Sequence, residues 1–158
     1  MKRSLAGLVV LMSAVASAHA AQSTTRFEDW RATSQVQNGR PICYSFTQAI
    51  LRRGVKGGCN SAVLVVTHAP PKHDRVVVSP CHPYAPGQSA LRMAVGTTRL
   101  GFHAHGHYAY ADAAPAAVRA FRRGFEASIP ASGRHPRELF SLRGFSKAYD
   151  AMRAQCIG

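Results

Sequence analysis

Acidic residues are scarce in this protein. The 158-residue chain holds 7 Asp and Glu against 20 Lys and Arg, a formal net charge of +13. Paired carboxylates for general acid–base chemistry are correspondingly few. Glu28 and Asp29 are neighbours beside the single Trp, and nothing around them marks a cleft. No apolar run approaches the roughly 20 residues that a membrane-spanning helix requires. No G-x-S-x-G, H-E-x-x-H, C-x-x-C-H or phosphate-loop pattern occurs. A helix-turn-helix, RNP or zinc-finger pattern is missing as well. No two cysteines form a C-x-x-C pair, which counts against zinc ligation. These absences point away from an enzyme, from a resident cofactor and from specific nucleic-acid binding.

The composition that remains is globular. Hydrophobic residues make up 46% and charged residues 17%, at a length that fits one domain. Residues 1–20 read as a secretory signal: Lys2 and Arg3 start it, Leu5 to Val15 form a short apolar core, and Ala18-His19-Ala20 supplies the small residues before cleavage. Ala21 is then the expected new N-terminus, the domain spans 21–158, and no transmembrane segment remains. The four cysteines, Cys43, Cys59, Cys81 and Cys156, are an even number in an exported chain. They imply two disulfides, with three connectivities open.

Short runs of strand-type residues dominate the chain after Phe27. Trp30 is a core anchor, Asn38-Gly39 a hairpin turn, and Ile42 to Thr47 a strand. Arg52 to Gly58 is basic and glycine-rich, which reads as an exposed loop. Strands are expected at Ala62 to Thr67, Arg75 to Ser79, Ala90 to Val95 and Thr97 to His103. Two helices interrupt the β pattern. Asp112 is placed to cap the first, which runs through Arg123 to Gly124, with Val118, Phe121 and Phe125 expected in the core. The second runs from about Ser146 to Gln155; Phe145, Tyr149, Met152 and Cys156 share one face of it, so Cys156 points inward. The expected fold is mainly β: a single-domain antiparallel β-sandwich with two short helices, the second C-terminal.

Several segments together resemble a known family. Gly39-Arg40-Pro41-Ile42-Cys43-Tyr44, Val65-Val66-Thr67-His68-Ala69-Pro70 and, most specifically, Phe140-Ser141-Leu142-Arg143-Gly144-Phe145-Ser146-Lys147-Ala148 are similar to motifs of the invasion-associated locus B family. The resemblance covers most of residues 27–156. It implies a small exported bacterial protein with a β-sandwich-like core and carries over no catalytic residue or cofactor. The family pattern also implies that Cys43 and Cys156 are its recurring cysteines, which leaves Cys59 to pair with Cys81. Cys81-His82-Pro83-Tyr84 departs from the family, which has Gly before a Tyr-Pro-Phe turn.

Three constellations are candidates for chemistry. His103-Ala104-His105-Gly106-His107 sets His103 and His105 on one strand face, with His107 to follow, a pattern able to ligate a metal. Leu100 and Phe102 claim the apolar face opposite, which leaves these histidines exposed. Arg119, Arg122 and Arg123 lie along the first helix and are the expected contact with an anionic ligand. Cys81-His82 has the residue types of a nucleophile and base, but neighbours on a strand point to opposite faces. The sequence thus reads as an exported, non-enzymatic envelope or surface-associated protein, periplasmic, cell-surface or secreted, which binds an anionic envelope or host-surface component. The alternative is a periplasmic metal-binding protein acting through the His-rich segment.

Overall fold

A computed structural model describes residues 24–50, 60–69, 74–84, 90–132 and 135–157. The expected signal segment, the basic loop from Arg52 to Gly58 and Cys59 lie outside the described residues. Ten strands and two helices follow in the order β1 (Thr25–Phe27), β2 (Trp30–Gln37), β3 (Arg40–Gln48), β4 (Val63–His68), β5 (Arg75–Ser79), β6 (Ala90–Val95), β7 (Thr98–His105), β8 (Tyr108–Ala111), α1 (Ala114–Arg123), β9 (Glu126–Ile129), β10 (Glu138–Ser141) and α2 (Phe145–Ile157). The architecture is mainly antiparallel β with two helices, the second C-terminal, as the sequence reading expects.

All ten strands belong to one sheet, ordered β1-β2-β3-β4-β5-β8-β7-β6-β9-β10. The β2–β3 hairpin turns at Asn38 and Gly39, whose φ angles of 53° and 74° are both positive, the conformation that a two-residue hairpin needs. Beyond β5 the order reverses, so β5 pairs with β8 while β6 is free to pair with β9. At the far end, Phe140 of β10 bridges to Ala49, and the Ile50 N–H donates to the Leu139 carbonyl at 2.8 Å. The sheet is therefore curled until its last strand meets the end of its third, and two layers of core side chains come from one sheet.

Alternation puts one face of each strand inside. Ala32, Ser45, Val66 and Val76 form one buried row across β2, β3, β4 and β5, and Thr47, Leu64, Val78 and Ala109 form the next. Two aromatic contacts join this core to the helices: Phe145 at the start of α2 meets Trp30 edge-on at 4.7 Å and Phe121 of α1 at 5.4 Å. Gly144 makes the approach of α2 possible. Its φ is +85°, and a Cβ there would stand 2.0 Å from the Phe27 carbonyl oxygen. The Cys43–Cys156 disulfide fastens the other end of α2 to β3. Cys81 is also disulfide-bonded, and Cys59, its expected partner, lies outside the described residues.

Two local expectations are corrected. Phe125 is exposed, because α1 ends at Arg123 and the chain has left the helical path by position 125. Asp112 is not the cap of α1: the N-cap is Ala113, which makes no side-chain cap bond. Asp112 instead turns back to His103.

Candidate anion-binding groove

The non-sequential order β7-β6-β9 builds the floor of a groove. Ala94 of β6 faces Arg99 of β7 on one side and Ser128 of β9 on the other, so these three residues form a row across the sheet. Two of them are small, which keeps the floor low. Arg92 lies two positions from Ala94 and so shares its face of β6. Helix α1 forms one wall through Ala116, Arg119, Ala120 and Arg123, residues three and four apart that share one helix face. This part encloses about 850 Å³. An adjoining part of about 520 Å³ shares Ala94, Arg99 and Ser128 and adds Arg92 and Arg137.

Five arginines thus surround one groove: Arg92, Arg99, Arg119, Arg123 and Arg137. None of them is in an ion pair among the described residues; Arg99 donates to its own hairpin, to the Gly96 carbonyl at 3.0 Å. The protein has few acids to offer them. Glu28 pairs with Arg143, Asp74 with His68, Asp112 with His103 and Asp150 with Arg122. Asp29 accepts from the Ser141 hydroxyl at 2.6 Å, and Glu138 accepts from the Cys81 N–H at 3.0 Å. The remaining acid, Glu126, lines the groove and has an interaction of its own. Like charges held close repel, so an anion entering this groove relieves repulsion as well as gaining guanidinium hydrogen bonds.

The structure divides the three expected helix arginines. Arg119 and Arg123 line the groove, whereas Arg122, about 100° round the helix from Arg123, faces α2. It is paired with Asp150, and its guanidinium lies 4.9 Å from the centre of the Tyr149 ring. Arg92 and Arg99 were not candidates in the sequence, although the alternation of β6 already placed Arg92 outward. Arg137 is legible in the sequence only as one of the basic residues of the C-terminal third, because its place in the groove depends on the pairing of β9 with β10.

The His-rich segment forms the end of β7 and its turn. His103 and His105 share the exposed face opposite Leu100 and Phe102, as expected. His103 Nδ1–H donates to Asp112 Oδ1 at 2.9 Å, and its ring stacks on Tyr110 at 5.8 Å. His107 lies in the turn. Among the described residues no three His, Cys, Asp or Glu side chains come together in a way that would hold a metal ion.

Two partly or wholly buried polar clusters had no motif to announce them. In the first, Asp74 binds both His68 (2.6 Å) and the Tyr149 hydroxyl, beside the Cys43–Cys156 bond, and Arg153 donates to the same hydroxyl at 3.3 Å. Burial, and then the bond to Asp74, push the Tyr149 phenol up. In the second, Glu138 and His135 are buried side by side, 3.5 Å apart, with Tyr84 stacked on the His135 ring at 4.8 Å. Burial raises Glu138 to about 7 and lowers His135. Cys81 and His82 form no nucleophile–base pair: Cys81 is in a disulfide and His82 is exposed.

No protein-family model matches the chain, and no curated protein matches it in sequence. A solved structure does match in shape. The fold is that of invasion associated protein B. The crystal structure of invasion associated protein B from Bartonella henselae superposes with a TM-score of 0.62 over 84% of this chain and 96% of that one. The two are 15% identical, so the likeness to invasion associated protein B is one of fold. The resemblance expected from the sequence is met at that level.

Proposed function

We propose that this protein is exported to the bacterial envelope and acts without catalysis, by binding an anionic component of the envelope or of a host surface in the arginine groove. The observation that carries this reading is the convergence of Arg92, Arg99, Arg119, Arg123 and Arg137 on one groove, none of them in an ion pair among the described residues. Guanidinium groups bind phosphate and carboxylate through paired N–H donors, and a low floor of Ala94 and Ser128 leaves room for such a group. Export is supported by the N-terminal signal pattern, by the Cys43–Cys156 disulfide and the disulfide-bonded state of Cys81, and by the shared fold with invasion associated protein B, a protein named for an association with invasion.

A binding panel at rising salt tests the reading. The mature, oxidised protein is titrated with lipopolysaccharide, anionic vesicles, acidic glycans and DNA. One ligand class is expected to stay bound at near-physiological salt, where the Debye length is about 8 Å, while the others release. Release of every anion together would leave general electrostatics alone.

A further inference from the structure

Phe125 is the most exposed large apolar side chain among the described residues, at 84%. It lines the same groove as Arg119 and Arg123, just past the end of α1. Its backbone is fixed on both sides. The Phe125 carbonyl accepts the Leu142 N–H at 2.9 Å, and the Gly124 N–H donates to Ala120 at 2.9 Å. Gly124 is packed so closely that a Cβ there would stand 2.3 Å from Val95 Cγ1. The ring is therefore held out in water by a rigid support, and its hydration is unfavourable until something apolar covers it.

Cations ringing a groove, with an aromatic side chain projecting at its rim, match the two layers of a bilayer surface. Guanidinium groups meet phosphates, and an aromatic ring meets the boundary between headgroups and acyl chains. A hydrophilic polyanion would engage the arginines and leave Phe125 in water. Resting on the anion-binding reading above, we infer that the groove docks on an anionic phospholipid bilayer and that Phe125 enters the leaflet.

Vesicles of phosphatidylglycerol with phosphatidylcholine, and of phosphatidylcholine alone, test this with the full mature protein and its Phe125→Trp and Phe125→Ala variants. Trp30 is fully buried, so a change in tryptophan emission on adding vesicles reports position 125. The exposed site leaves folding unchanged, checked by an equal thermal midpoint. Phe125→Trp is expected to shift to the blue and resist iodide quenching with phosphatidylglycerol vesicles and not with phosphatidylcholine. Phe125→Ala is expected to bind the anionic vesicles about tenfold more weakly. Absence of a blue shift in sedimented complexes, or equal binding by Phe125→Ala, would overturn the insertion. Inositol hexakisphosphate, a soluble polyanion, separates the two claims. If it binds through the groove arginines while the vesicles fail, the docking inference falls and the anion-binding reading stands. If it also fails at near-physiological salt, both fall.

Discussion

Arg122 of α1 is paired with Asp150 of α2, while Arg119 and Arg123, on either side of it in sequence, face the groove without an ion pair among the described residues. One helix thus divides its arginines between holding the fold and meeting a ligand. Arg122→Ala removes a half-exposed ion pair and a cation–π contact with Tyr149. It is expected to lower stability by about 1 kcal/mol and to leave anion binding unchanged. Arg119→Glu with Arg123→Glu should do the opposite. Urea unfolding and a binding titration on both variants check the division.

The Cys43–Cys156 bond spans 113 positions. In the chain-entropy picture a loop of that length contributes about 4–5 kcal/mol by restricting the unfolded state. It also holds the C-terminal turn of α2 against β3, where Met152 and Cys156 are buried. Replacing both cysteines with Ser should lower the unfolding free energy by about that amount, measured in urea with the remaining disulfide intact. A loss under about 1 kcal/mol would mean that packing of α2 needs no covalent help.

The Trp30 indole N–H donates to the Ser141 carbonyl at 2.8 Å, joining β2 to β10 across a separation of 111 residues. Both groups are buried. Trp30→Phe keeps a ring in the core but leaves a cavity and a carbonyl without its donor, and should cost about 2–3 kcal/mol. Hydrogen exchange gives a second readout: amides of β9 and β10 should lose more protection than those of β4 and β5.

Glu138 gives a dependence on pH. Burial raises its carboxyl from 4.5 to about 7. Between those values the folded chain keeps a proton that the unfolded chain has released, so this group's contribution to stability declines as pH rises and levels off above about 7. Glu138→Gln still accepts from the Cys81 N–H and no longer titrates. Relative to wild type, the variant should gain up to about 3 kcal/mol in unfolding free energy between about pH 5 and about pH 8. Parallel stability curves for the two proteins would assign the titration to another group.

Much of the sheet was legible because β4, β5 and β6 are β-branched or alternating runs bounded by turn residues. The terminal helix was legible from the spacing of Phe145, Tyr149, Met152 and Cys156. Strands β8, β9 and β10 escaped for a common reason. Each has four residues, and all four positions of β10 are buried, including Glu138 and Ser141, so no alternation marks it. The groove was half legible. Arg119 and Arg123 follow from helix periodicity alone. Arg92 and Arg99 are brought to one face by the β6–β7 hairpin, and Arg137 joins them only because β6 pairs with β9 and β9 with β10, a long-range choice that no local pattern encodes. Phe125 was expected inside because helical spacing was carried past the residue where α1 ends.

The central claim, that the arginine groove is a site and not part of a generally basic surface, is tested most directly by matched charge reversals. Arg99→Glu with Arg123→Glu alters the groove, and Arg40→Glu with Arg75→Glu makes the same change in net charge at exposed positions outside it. Binding to phosphatidylglycerol vesicles is then measured at near-physiological salt for both variants and the wild type. The account predicts a loss of more than about tenfold for the groove variant and little change for its counterpart. Equal losses in the two variants would contradict it.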